Sequence, residues 1–247
     1  MIKQCFSFAL VVFLLAPAHV LAAAQTNPVP ALKFPWVSSA AVGLTLTRGN
    51  SDTVLTTIKA QTEKKNPLNE FLFEVDGAYG ENNSIRNTET LHATGQYNHL
   101  FSERLFGYVN AEGLHDGVAD LQYRINFGPG AGYYLVKETN TSLAVEIGPG
   151  LIIQRLGDVN TTYATFRLGE RFERKFDHNA RIWQNVEFMP EVDEPENFLI
   201  NSEIGAEATL TKKLGIQICL QDNFVNHPAP GRKDNDIKLV SGLVYKF

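Results

Sequence analysis

Histidine is the side chain best suited to accept a proton near neutral pH, so the six histidines of this chain are the first place to look for catalysis. Hydrolysis of a lipid or ester needs one of them within hydrogen-bond reach of a serine. No His-x-Ser pair occurs, and His92-Ala93-Thr94 sets only a weak hydroxyl beside its histidine. His99 and His178 fall next to turns, and His115 could meet Ser51 or Ser84 only through loops. No catalytic residue is assigned. The chain is expected to be non-enzymatic, with lipid modification as the alternative class.

Metal chemistry has one candidate. Glu191, Asp193, Glu194 and Glu196 gather carboxylates in one loop, but the segment lacks the glycine and the regular ligand spacing of a calcium loop. It reads as a solvated surface, and neither a metal nor a cofactor is expected. A different set is more informative. Glu74, Asp76, His92, Glu112, Arg124, Glu146, Arg167, Arg171, Glu203 and Glu207 carry both signs, and they sit on the polar side of otherwise apolar alternating runs. Charges so placed need a hydrated space or one another.

The elements that position them follow from a period of two, which puts alternate residues on opposite faces of a strand. Trp36, Ala40, Val42, Leu44 and Leu46 share one face of the first run. Val54, Ile58 and Ala60 oppose Lys59, Gln61 and Glu63 in the second, and Phe71, Phe73, Val75 and Tyr79 oppose Glu70, Glu74 and Asp76 in the third. Leu91, Ala93, Gly95 and Tyr97 alternate with polar neighbours in the fourth. From 120 to 136, Leu121, Tyr123, Ile125, Phe127, Tyr133 and Leu135 are set on one side, with Gln122, Arg124, Asn126, Gly128, Gly130 and Gly132 on the other. Further strands are expected near 104–115, 141–155, 161–175, 180–191, 197–211, 214–226 and 235–247. These runs of about 11 to 15 residues exceed an ordinary globular strand and are bounded by turn residues.

Twelve such hairpin-joined runs have no second layer to cover their apolar face. Closing the sheet solves this: the apolar face turns to lipid, the polar face lines a wet interior, and no edge stays unpaired. The expected fold is therefore all-β, a closed antiparallel up-and-down transmembrane β-barrel of about twelve strands over residues 36–247. An even strand number leaves both termini at one end, on the periplasmic side. The last strand, Ile237 to Phe247, must then pair with the first, and Tyr245 and Phe247 would lie in an aromatic girdle.

The start of the chain agrees with export. A short basic beginning at Lys3, an apolar run over Phe6–Leu15, Pro17 and the small residues Ala22–Ala24 describe a signal peptide over residues 1–24, followed by an extended lead-in over 25–35. Its removal takes Cys5 and leaves Cys219 alone, so no internal disulfide is expected. A net charge of −5 without a basic stripe argues against nucleic acid.

Residues 42–53, Val-Gly-Leu-Thr-Leu-Thr-Arg-Gly-Asn-Ser-Asp-Thr, resemble the opening hairpin of the salt-induced outer-membrane protein family of Gram-negative bacteria. The terminal Tyr245-Lys246-Phe247 is similar to the signal by which the outer-membrane assembly machinery recognises barrels. The resemblance covers about Trp36 to Phe247 and implies the outer membrane as location and a barrel as fold, with no activity to carry over. The partners so implied are outer-membrane lipid, lipopolysaccharide and the assembly machinery, for a monomeric barrel.

Two questions remain for the structure. Gly128-Pro129-Gly130 and Gly148-Pro149-Gly150 fall in adjacent strands and are expected to be bulges or bends, or else to leave lumen space for a solute or plug. The lumen charges either brace a nearly filled interior or line a narrow path that selects small solutes. Bracing with at most a weakly conducting passage is the expectation.

Overall fold

Alternation along the chain becomes twelve antiparallel strands in the computed structural model, which describes residues 34–47, 53–176, 179–228, 231 and 233–247. The expected leader, most of the lead-in, the turn at Gly49–Asp52 and His178 lie outside the described residues. The strands are β1 Val37–Thr47, β2 Thr53–Lys65, β3 Asn69–Asn82, β4 Ile85–Leu100, β5 Leu105–Asp116, β6 Leu121–Lys137, β7 Thr141–Leu156, β8 Val159–Phe176, β9 Ala180–Pro190, β10 Phe198–Thr209, β11 Leu214–Val225 and β12 Asn235–Lys246. Each pairs with its sequence neighbours, and β1 pairs with β12, so the sheet is a closed up-and-down barrel. The expected strand limits agree with these to within a few residues, and Trp36 lies just ahead of β1.

One rim carries the described ends of the chain and the turns at 66–68, 101–104, 138–140 and 210–213; the other carries the longer connections 191–197 and 226–234. Polar side chains clasp the near-rim turns: Asn66 Oδ1 accepts from the amides of Leu68 and Asn69 at 3.0 and 2.7 Å, while the hydroxyls of Ser102 and Thr211 accept from Leu105 and Leu214 at 3.0 Å each. At the far rim, Asn83 and Ser84 both take positive φ, 49° and 62°, the conformation of a two-residue hairpin whose twist matches the strands.

The outer wall is apolar. Leu44, Phe73, Ile125, Ile147, Ile204, Ile218 and Leu239 are exposed, far more contiguous hydrocarbon than a soluble surface leaves open. Aromatics mark both margins of this belt. Trp36 packs on Phe71 and Phe71 on Tyr97 at the near rim, with ring centroids 6.1 and 4.8 Å apart. Phe188, Phe198 and Phe224 follow one another at 5.5 and 5.7 Å at the far rim.

The register slips at Gly80–Glu81, at Tyr134–Val136 and at the start of β6, and the last of these overturns an expected placement. Leu121 is buried inside the wall, and the register slips between Leu121 and Tyr123 against β7. Gln122 is the inserted residue of a bulge, so the expected placement of Leu121 on the outer face and Gln122 on the inner face is reversed.

The expected bulges at the two Gly-Pro-Gly segments are absent. Pairing of β6 with β7 holds the same register on both sides of the gap, Phe127 with Leu151 and Ala131 with Ile147, so no residue is inserted there. That register sets Pro129 directly across from Pro149, and neither can donate to the ladder. The flanking glycines face inward at a close approach: a Cβ on Gly128 would lie 2.1 Å from the Pro149 carbonyl oxygen, and one on Gly148 2.3 Å from that of Pro129. The β1–β12 seam has the same character. It is paired over four rungs, Ser39 with Lys246 to Val42 with Leu243, and above them a Cβ on Gly43 would lie 2.1 Å from the Ser241 carbonyl oxygen. In strand order the two interruptions lie on opposite sides of the ring.

Candidate functional site

Because side chains alternate, every second residue of each strand enters the lumen, and the structure places all ten charged residues named from the sequence on the inner face. Its rungs bring them into groups. On β3–β5, His92 lies between two carboxylates, Nδ1 at 2.9 Å from Asp76 Oδ1 and Nε2 at 2.9 Å from Glu112 Oε1. With both nitrogens so engaged, this histidine has no free site with which to activate a nucleophile. Arg124 Nε donates to Gln154 Oε1 at 2.7 Å.

Glu146 on β7 is the centre of a second group, its side chain fully buried. It accepts from Arg167 Nη1 at 2.8 Å, faces Arg171 Nη2 at 2.5 Å and accepts from Gln96 Nε2 at 2.9 Å. Arg167 turns its Nε to Glu187 Oε1 at 3.0 Å. In a third group, Lys59 Nζ lies 2.8 Å from Glu74 and 3.3 Å from Glu203, while Glu203 also accepts from Gln221 at 2.9 Å and from the Trp183 indole at 2.5 Å. Glu207, close to the near rim, pairs with Arg181 at 3.0 Å and Lys246 at 2.6 Å.

Several contacts join strands that are not neighbours in the ring: Lys59 of β2 with Glu203 of β10, Gln96 of β4 with Glu146 of β7, and Lys238 of β12 with Thr90 Oγ1 of β4 at 3.0 Å. Arg167 of β8 also lies over the Tyr108 ring of β5, 5.1 Å from its centroid. Such links brace the cylinder across its bore. Lys59, Glu187 and Lys238 were absent from the set chosen in the sequence, although each lies on the polar face of its run.

The interior is also partly apolar, which the alternation did not suggest. Leu100, Phe106, Tyr108, Tyr134 and Ala144 pack together toward the near rim. Ile152, Met189 and Leu199 do so toward the far rim, with Tyr163 and Val225 against them. Phe106 and Ile152 are 0% exposed. The Phe106 and Tyr108 rings lie against inward glycines of β6, for a Cβ on Gly132 or Gly130 would meet them at 2.2 and 2.3 Å. Glycines that might have left room for a solute thus receive the chain's own aromatics. A run apolar on both faces, Phe106 to Val109, opposite Gly130 and Gly132, was the available signal.

What remains open is two cavities, about 170 Å³ and 130 Å³, each large enough for several waters. Both are lined by Leu72, Glu74, Arg171, Asn185 and Glu203, which therefore form a waist between a far-side and a near-side compartment. Among the described residues, no three His, Cys, Asp or Glu side chains are placed to hold a metal ion. Cys219 is buried and unbridged. Tyr245 and Phe247 are exposed on the outer face at the near rim, their rings edge to face at 5.2 Å, and the Phe247 amide donates to the Ser38 carbonyl at 3.1 Å, extending the seam. The acidic loop is partly tied down, Asn197 Nδ2 donating to Glu191 at 2.6 Å.

Among solved structures, the NanC porin aligns with a TM-score of 0.48 at 6% identity, over 85% of this chain and 96% of that one. The KdgM porin gives 0.46 at 10% identity over 86% and 99%, and an outer membrane channel from Pseudomonas putida F1 gives 0.48 at 10% identity over 90% and 100%. At these values the likeness concerns the barrel alone. No curated protein matches the chain. A family model described as a protein of unknown function, DUF481, matches residues 40–247, from within β1 to the terminal phenylalanine. With that match spanning most of β1 and all of β2–β12, the chain belongs to the DUF481 family.

Proposed function

We propose that this protein spans the outer membrane of a Gram-negative cell as a non-enzymatic barrel, with a structural or stress-adaptive role in the envelope and a narrow solute passage through its charged lumen. The apolar outer belt between two aromatic margins supports the membrane location. The two longest connections, 191–197 and 226–234, lie at the far rim and support an orientation with the described termini in the periplasm. In that orientation the acidic loop around Glu191–Glu196 meets the lipopolysaccharide layer and its bridging cations, and Tyr245 and Phe247 serve as the assembly signal.

Lipid exposure has a direct test. Ile218 stands half exposed in the middle of β11. Ile218→Arg is expected to lower stability in bilayers by about 2–4 kcal/mol, the cost of a cation at mid-depth on a lipid-facing wall. A denaturant midpoint equal to that of the wild type would argue that this face meets water.

The observation that carries the passage is the waist, where two hydrated compartments meet between cross-lumen braces. In planar bilayers the wild-type protein is expected to give small discrete current steps. Arg171→Ala and Leu72→Ala should give larger ones, since each removes bulk from the constriction. Silence in all three proteins would eliminate the passage and leave the structural role alone.

A further inference from the structure

The charged groups of the larger cavity are mostly committed to one another, and its glutamines Gln96 and Gln221 are hydrogen-bonded, but its asparagines are not. Asn110 on β5 and Asn185, Asn201 and Asn223 on the consecutive strands β9, β10 and β11 all line it, and none makes a side-chain hydrogen bond among the described residues. Their placement is regular. Asn201 stands directly opposite Asn223, and Asn185 stands one rung away, opposite Glu203, which in turn faces Gln221. Each free amide offers one acceptor and two donors to whatever occupies the space.

Lys238, which also lines the cavity, donates to Thr90 and has further N–H groups to give. Five of the cavity's six carboxylates lie against Lys59, His92 and Arg167, and Arg171 and Lys238 add two further cations, so the two signs nearly balance and no strong net field gathers an ion of either charge. A solute suited to this wall is therefore uncharged and rich in paired donors and acceptors. Vicinal hydroxyls are such groups, because one amide can accept from the first through its carbonyl and donate to the second through its N–H.

We propose that the larger cavity is a binding site for a small uncharged polyhydroxylated solute, a polyol or sugar, held by Asn185, Asn201 and Asn223 with Lys238 as a further donor. This rests on the reading of the lumen as a hydrated passage and names the solute class that the passage takes. Water already fits the volume, and the amide triad makes the far-side compartment selective among small solutes.

Saturation-transfer NMR on the refolded barrel, with sorbitol and glucose as probes and glucuronate and glucosamine as charged analogues, tests it. Sorbitol or glucose is expected to give a saturable signal that falls about five-fold or more in the Asn201→Leu, Asn223→Leu double variant, the scale of one or two lost hydrogen bonds. Heat-modifiable migration on gels reports that the variant is folded, and Asn185→Ala serves in its place if it is not. A signal equal in wild type and folded variant, or stronger for either charged analogue, overturns the proposal. Current steps without polyol binding overturn the site but not the passage; polyol binding without current steps does the reverse.

Discussion

Glu146→Ala is expected to destabilise the folded barrel by about 3–5 kcal/mol, the cost of breaking a buried ion pair by removing one partner. The carboxylate is wholly buried and receives Arg167, Arg171 and Gln96, from β8 and β4, at 2.8, 2.5 and 2.9 Å. Its loss leaves Arg171 with no carboxylate within ion-pair distance among the described residues, while Arg167 keeps Glu187. Glu146→Gln retains an acceptor and the side-chain shape and should fall between the two. The exposed pair Lys65–Glu63, 2.9 Å apart, supplies the contrast: Lys65→Ala should change stability by less than about 1 kcal/mol. The measurement is the denaturant midpoint of each protein in lipid vesicles. A Glu146→Ala midpoint matching that of Lys65→Ala would show that the lumen groups are solvated as well apart as together.

Gly128→Ala should destabilise the wall where β6 meets β7. The added methyl would sit 2.1 Å from the carbonyl oxygen of Pro149 and 3.0 Å from the Gly150 Cα, both of them backbone atoms that no rotamer change can move aside. Relief requires β6 and β7 to separate where the ladder is already interrupted, and the barrel cannot open there without losing its lipid-free interior. The expected result is a drop of about ten-fold or more in the folding equilibrium constant, equivalent to about 1.4 kcal/mol or more, read under conditions where the wild type is half folded. Gly113→Ala is the matched control, since nothing lies within 4 Å of its added atom. Equal folded fractions for the two variants would show that the close approach at Gly128 contributes nothing to the wall.

Much of this architecture was legible in the sequence because a lipid-facing barrel enforces alternation over long stretches. Phe71, Phe73 and Val75 against Glu70, Glu74 and Asp76 admit only one sidedness, and twelve such runs require closure. The same rule hid the packed interior. Phe106, Tyr108, Ile152 and Met189 point inward, but a pattern of polar and apolar letters assigns each hydrophobic residue to lipid by default. Leu121 was misplaced for a related reason, since one inserted residue, Gln122, reverses parity beyond it. The Gly-Pro-Gly pair was visible as an irregularity, but its meaning depended on register: only when Pro129 is seen opposite Pro149 does a lapse in the ladder replace a bulge. The lumen charges could be named from their face, whereas their partners could not. Lys59 and Glu203 meet because the ring brings β2 and β10 within side-chain reach, a fact of closure that no local stretch contains.

Opposed interruptions have a mechanical consequence. They divide the cylinder into two panels, β1–β6 and β7–β12, joined along one line by four rungs and along the other by pairing that lapses at the facing prolines between Phe127–Leu151 and Ala131–Ile147. A line where the ladder is short or lapses bends more readily than continuous sheet, so flexing of one panel against the other is the motion these two lines favour. Lys59–Glu203, Lys238–Thr90 and Gln96–Glu146 each run from one panel to the other and act as the springs that resist it. Within the width that twelve strands allow, the shape of the bore is then held by a few side chains, and a change in their charge would retune it without altering the wall.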